Sequence, residues 1–336
     1  TPMADVPLSL ALLALGQQLR GDIVNSANRI SATLRLLKIK PGGGQNCAWA
    51  IKGNTGTGEN YAEGANAENF NSDPQLAATL QWGLYRHNFG VTGTARRAAR
   101  TAQAGPDSAA NIVGDQMLDS NSIVASLVNT NLFSGAGTGT TIAGLNVAIH
   151  DSNTYAGVDR SIYAWAQSKV WDSAGAAISQ GQIRSDRSAI YMASGRFPDI
   201  AVCHPDVFNK VGATFDPNRH YVQDVTTARG PVKLDGGFEG IMFDGMTFVQ
   251  DKDATAGSLY YLNSQFCEIQ YMPLSPEEIA QLAEYGVVMA ADDGWGPIPL
   301  GIVCEKLAKN GDSDRFMCRT EVQLVVKRPN AFGRRT

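Results

Sequence analysis

The stretch GLNVAIHDSNTYAGVDRSIYAWAQSKV, Gly144 to Val170, decides how the rest of the chain is read. Glycine, asparagine, serine and aspartate recur between short apolar pairs, which makes it a turn-rich link carrying short strands. Just before it, Gln103 to Phe133 changes to a helical period. Val113, Met117, Val124, Val128 and Leu132 fall on one face, with Ile112, Ile123 and Leu127 beside them. Pro106 and Asp107 suit that helix's first turn, and Gly135 its stop.

After the link a second helix is expected over Ala174 to Ser194, then a buried strand, DIAVCHP (Asp199 to Pro205), and a short helix, PDVFNKV. Period-2 runs follow in GFEGIMFDGMTFVQD, GSLYYLNS and FCEIQYMP. SPEEIAQLAEY reads as a third helical segment with Ser275 as N-cap and Pro276 in its first position. Two long strands close the chain around AKNGDSD, where Asn310-Gly311 marks the reversal. The class is α+β with no βαβ repeat, which disfavours doubly wound nucleotide folds.

Towards the N-terminus, Leu8, Leu12, Leu15, Leu19 and Ile23 form the stripe of an amphipathic packing helix. The apolar run Val6 to Gly16 follows an acidic residue, Asp5, and is too short to span a bilayer, so it is read neither as an export signal nor as a membrane anchor. SATLRLLKIKPGGGQNCAWAIKG reads as extended, interrupted by Pro41 and three glycines. Residues 53–74 are nearly free of aliphatic side chains and cannot bury enough to fold alone, although Tyr61 and Phe70 punctuate them. Lys52 to Arg100 is expected to be a two-stranded excursion, out through this segment and back through QLAATLQWGLYRHNFGVTGT.

Of 336 residues, 28 are Lys or Arg and 32 Asp or Glu, a formal net charge of −4. Charged residues make up 18% of the chain, below the roughly 25% usual in globular proteins. Apolar residues still reach 43%, which excludes disorder. Surface destined for burial against other protein explains the deficit, because interface cores are depleted of charge. The balance speaks against tight nucleic-acid binding. The densest basic groups (Arg96, Arg97 and Arg100; Lys327 and Arg328; Arg334 and Arg335) are short and read as solvated ends of elements.

The five cysteines, Cys47, Cys203, Cys267, Cys304 and Cys318, are widely spaced with no CxxC. Cys203, Cys267 and Cys304 sit in apolar runs, where a free thiol acts as a small hydrophobe; a reducing, intracellular origin is expected. GAGTGTT (Gly135 to Thr141) lacks the Lys-Ser/Thr pair of a phosphate loop and follows a helix, so it reads as a structural turn. His87, His150, His204 and His220 show no metal-ligand spacing, and Asp292-Asp293 beside Gly294-Trp295 reads as a turn. With no GxSxG or HExxH either, no catalytic, metal or cofactor residue is assigned, and the chain is not expected to be an enzyme.

Three stretches together resemble the major capsid proteins of tailed bacteriophages. Gly144 to Val170 looks like the family's segment after its spine helix, with the Asp-Arg-Ser-x-Tyr-x-Trp box at Asp159, Arg160, Ser161, Tyr163 and Trp165. Gly237 to Asn263 resembles its paired strands, and VQLVVKRPNAFGRRT its C-terminal strand. The similarity covers roughly residues 100–336; the N-terminal third matches by layout only.

The resemblance implies the Hong Kong 97-type fold. Residues 1–44 become the N-arm, 45–100 the extended loop with flanking strands, 101–139 and 291–336 the peripheral domain, and 140–290 the axial domain. It further implies a coat protein that assembles with itself through hexamers and pentamers into an icosahedral shell around the genome. The shell would belong to the virion and be built in the host cytoplasm. A portal protein at one vertex and scaffolding, maturation-protease and decoration proteins would be partners. Packaged double-stranded DNA would be touched only weakly and non-specifically; no cofactor and no membrane are involved.

On this reading Trp49, Lys52, Tyr61, Phe70, Trp82, Asp159 and Arg160 become the inter-subunit contact residues. Some relatives join subunits by a Lys–Asn isopeptide bond; Lys52 and Asn330 are the matching residue types, although nothing in the local sequence picks them out. The alternatives are an encapsulin-type nanocompartment shell and, more remotely, an intracellular hydrolase with an unrecognised site.

Overall fold

The computed structural model describes residues 32–53, 56–64, 72–95, 112–215, 221–222, 224–227, 230–233, 240–273, 275, 277 and 300–336. The expected N-terminal helix, Phe70, the basic group at 96–100, the Pro106-Asp107 turn, His220, nearly all of SPEEIAQLAEY and Asp292-Asp293 lie outside them. The chain divides into a smaller unit (1–31, 84–129 and 271–322) and a larger one (32–83, 130–270 and 323–336).

Elements are numbered along the chain. In the larger unit, α1 (Ala32–Leu36) replaces the extended start expected there, and β1 (Lys38–Pro41) follows it. Ala-Thr-Leu-Arg-Leu is a helix-forming sequence, and Leu34, Leu36 and Leu37 are all buried, so one helical turn hides more apolar surface than a half-exposed strand would. Asp251 fixes it by accepting from the amide (2.9 Å) and hydroxyl (2.6 Å) of Thr33. The excursion is a hairpin: β2 (Cys47–Lys52) pairs antiparallel with β3 (Gln75–Leu80), Cys47 opposite Leu80 and Lys52 opposite Gln75.

The smaller unit holds β4 (Gly83–Thr92) from Leu84 on and the first part of α2 (Ile112–Ser134). The helix is about 35 Å long, and its expected stripe is buried at Met117, Val124, Val128 and Leu132. Residues 135–144 make the structural turn expected of GAGTGTT. The Gly144 amide donates to the Gly135 carbonyl at 2.9 Å, and a Cβ at Gly144 would lie 2.8 Å from that residue's nitrogen, so the chain can close only on glycine. Leu145–Ala148, at the start of the link expected to carry only turns and short strands, is a helical turn, α3.

A minor pair comes next, β5 (Thr154–Tyr155) with β6 (Val158–Asp159), then β7 (Lys169–Trp171) and α4 (Gln180–Ser194). The second helix thus begins six residues later than expected. Ala174 and Gly175 take left-handed conformations (φ 47° and 78°), and Ser179 forms a capping box with Gln182 that fixes the start. Gly195, at φ 67°, ends it. β8 (Ile200–Cys203) is buried along its whole length, as a strand covered on both faces must be. α5 (Pro205–Phe215), β9 (Tyr221–Val222) and the hairpin β10 (Asp224–Thr227) with β11 (Gly230–Lys233) follow. β12 (Gly240–Phe243) and β13 (Met246–Gln250) turn at Asp244-Gly245; β14 (Leu259–Leu262) and β15 (Cys267–Tyr271) complete the period-2 runs.

The main sheet of the larger unit runs β7-β18-β14-β8-β13-β12-β9, where β18 (Gly333–Arg335) is the C-terminal strand inserted between β7 and β14. Helices α4 and α5 cover one face, where Ile183, Ile190, Val207, Phe208 and Val211 meet Ala201, Cys203, Phe248, Leu259 and Tyr261. Intervening residues point to the other face. There the Tyr260 ring lies 5.6 Å from Phe133, and its hydroxyl donates to Asn146 at 2.6 Å.

In the smaller unit β16 (Val303–Asn310) and β17 (Ser313–Val326), the latter as far as Val322, are the expected long strands, and Gly311 turns at φ 69°. β4 pairs with β17, and Phe89 stacks on Phe316 at 5.1 Å. Cys304 sits directly opposite Cys318, their Cα atoms 4.0 Å apart, and the two are joined in a disulfide. This corrects the free thiol expected at Cys304: only the hairpin register, which spacing does not reveal, pairs it. Cys47, Cys203 and Cys267 are buried free thiols. Burial pushes the Cys47 thiol up to about 11 and the other two higher still, so all three are inert.

Candidate subunit-contact site

The hairpin β2–β3 alternates as a strand pair with one covered face must. Cys47, Ile51 and Ala78 are buried, while Ala48, Ala50, Lys52, Gln75, Ala77 and Thr79 face out. Its inner face rests on the turn-rich link Gly144 to Val170. The Trp49 ring tilts against Tyr155 at 6.1 Å, and the Thr79 amide donates to the Ala156 carbonyl at 3.0 Å. A Cβ at Gly53 would lie 2.6 Å from the Pro74 ring and 3.1 Å from Trp165, so glycine permits that close approach. Beyond it residues 56–60 are all exposed and Tyr61 is 80% accessible, flanked by Glu59 and Glu63. Lys52 is exposed, its ammonium 3.8 Å from Asp73.

Arg160 is buried at 1% exposure, with its guanidinium engaged within the chain. Nη1 donates to the carbonyls of Val147 and His150 and to Asn153 Oδ1, Nη2 donates to the Ala148 carbonyl, and the Tyr155 ring lies 5.1 Å away. Burial lowers its pKa to about 10, still fully charged at neutral pH. Asp159 accepts from the Ser161 hydroxyl and amide, which hold its carboxyl below the usual range. Trp82 is also interior, its Nε1 donating to Gly44. Asn330 donates to the Ala193 carbonyl at 3.0 Å. Of the sequence-derived contact residues, Tyr61 and Lys52 are therefore open to a partner, Arg160 and Trp82 build the fold, and Trp49 and Asp159 are half-buried.

Sequence reading missed a second surface. Tyr191, Met192 (83% exposed) and Phe197 project from the end of α4, with the Tyr191 and Phe197 rings stacked at 4.3 Å and Arg187 4.2 Å from Phe197. The signal was the 3.6-residue period, which sets Tyr191 and Met192 opposite the buried Ile183–Ile190 side. Among the described residues no cluster of His, Cys, Asp or Glu is arranged to hold a metal, and no helix is long and apolar enough to cross a membrane.

Solved structures place this architecture. The capsid asymmetric unit of cyanophage A-1(L) matches with a TM-score of 0.72 at 16% identity, over 93% of this chain and 94% of that one. A structure from Mycobacterium phage Bobi matches at 0.55 and 12% identity, over 99% of both chains. A holo-encapsulin complex from Synechococcus elongatus matches at 0.57 and 11%, over 99% and 95%. No curated protein sequence matches the chain. The fold is the Hong Kong 97-type capsid fold, as the resemblance implied, in its α+β form. The chain belongs to the SU10 major capsid protein family, whose sequence model matches residues 49–336, and is a coat protein of a tailed bacteriophage. That family assignment makes the encapsulin reading a distant alternative.

Proposed function

We propose that this chain assembles through five- and six-membered rings into an icosahedral shell enclosing double-stranded DNA, a structural role without catalysis. The observation that carries the reading is the β2–β3 hairpin, braced at its base on Tyr155 and Ala156 and open at its glycine-rich end around Tyr61. A segment that buries little of itself gains order by lying across a neighbour, trading conformational entropy for intermolecular contact. Tyr61 and Lys52 are the contact residues of that hairpin. Closed symmetry repeats each modest contact many times over. A net charge of −4 suits a wall that must not grip the packaged DNA.

In this role the subunit works in the virion after assembly in the host cytoplasm. A portal protein occupies one vertex, and scaffolding, protease and decoration proteins act during assembly. The N-arm, extended-loop, peripheral and axial regions divide the chain at about residues 44, 100, 140 and 290. The test is sedimentation velocity on the purified chain, alone and with a co-expressed scaffold, with electron microscopy of any fast fraction. Shells or five- and six-fold rings are expected. A stable monomer over a range of salt, pH and concentration overturns the reading.

A further inference from the structure

The two faces of the main sheet carry opposite surfaces. Outside α4, exposed positions recur at Arg184, Ser188, Tyr191 and Met192, followed by Arg196 and Phe197. The only acid on that helix, Asp186, is buried beneath it, and the neighbouring Asp244 carboxylate is paired with Arg187 at 2.9 Å, so the outer side of α4 itself is apolar and basic. Tyr260 points away from α4 to Phe133 and Asn146, and the chain leaves Asn146 into the loop clamped by Arg160. That loop exposes Asp151 (55% of its side chain) and Ile162 (70%), with the Asp159 carboxylate between them in the chain. It contributes an acidic surface with an apolar knob, flanking the opposite side of the same sheet.

A large exposed methionine beside stacked aromatics and arginines has the composition of an interface core. Complementary charge on the opposite face points to one occupant, a second copy of the chain. Two different patches on opposite sides of one subunit make a head-to-tail contact, the kind that closes into rings.

We infer that the α4 face of one subunit, centred on Met192, Tyr191 and Arg184, docks on the 151–162 loop of the next copy, around Ile162 and Asp151. This rests on the ring-forming reading above. Met192 meets the apolar knob, and the arginines set the register against the carboxylates.

The test uses the full chain with Met192→Asp and Ile162→Asp, both at exposed sites, each checked for a wild-type circular dichroism spectrum. Where the wild type forms rings or shells, each variant alone should sediment as a monomer. Mixed one to one they should form dimers and nothing larger, because each contributes a different intact face. Rings from either variant alone, or a mixture that stays monomeric, overturns the inference while leaving the coat-protein reading intact. A wild type that never assembles overturns the ring reading and this inference with it. If Met192→Asp loses its fold, Arg184→Glu with Arg196→Glu takes its place. That pair should lose assembly and regain it with Asp151→Lys, and a pair that assembles like wild type is equally fatal.

Discussion

Arg160 illustrates how a residue picked out by pattern acquires a role only from geometry. Its box was legible as a motif, but a motif does not say whether a guanidinium faces out or in. Here it donates to three backbone carbonyls of the irregular loop 147–153, holding Ala148 and sharing Val147 with Asn153 and His150 with the Ser168 amide. Replacing it with alanine should destabilise the chain by about 3 kcal/mol or more. Arg160→Lys should recover less than half, since an ammonium cannot reproduce the planar fork; denaturant midpoints check both. Glu268 gives a pH-dependent case. Burial opposes its charge, but hydrogen bonds from Lys327 and Gln270 prevail, and with Lys40 they hold its carboxyl below 4.5. The unfolded chain then binds the proton more readily, so this stabilisation is complete above pH 4.5 and is lost as pH falls through the lower folded value. Stability measured from pH 6 down to 3 should fall more steeply in the wild type than in Glu268→Gln. At Asn330, the carboxamide is held by Ala193 inside the fold, so denaturing gels of assembled shells should show monomer bands only.

Among elements, the β2–β3 hairpin was readable because two signals coincided: an extended stretch running into CAWAIKG, and a loop too poor in aliphatic residues to fold alone. Helix α4 was found but misplaced at its start, because Ala174-Gly175 and the Ser179 cap override a continuous alanine-rich run. α1 was missed altogether: its burial depends on Asp251, 218 residues away from Thr33, and no local pattern carries that. The hairpin yields a direct test. A glutamate-specific protease should cut dispersed subunits first at Glu59 or Glu63, within the exposed stretch before Gly64. Assembled shells should resist that cut while remaining cleavable elsewhere. Equal cutting rates in both states would separate the hairpin from assembly.

At the scale of the whole molecule, sequence order conveyed the class but not the closure. Nothing local shows that the last strand, β18, is inserted into a sheet begun more than 160 residues earlier, pairing with the edge strand β7 on one side and β14 on the other. Arg335 fastens it, donating from Nε and Nη2 to the two oxygens of Asp186 at 2.7 and 2.6 Å, while Tyr261 donates to the same carboxylate. Asp186 lies on the covered side of α4, so this one pair ties the C-terminal strand to the helix whose outer side is the proposed docking face. The two contributions separate by mutation. Arg335→Ala keeps the backbone ladder but leaves the buried Asp186 charge without its cation, a cost of about 3–5 kcal/mol. Deleting residues 333–336 also removes the ladder and strands β7 from the sheet, and should prevent the larger unit from folding. Arg335→Ala with Asp186→Asn should be more stable than Arg335→Ala alone, because the uncompensated charge is gone. Thermal unfolding of the three proteins orders them; a deletion as stable as Arg335→Ala would mean that the ion pair, and not the inserted strand, holds the sheet closed.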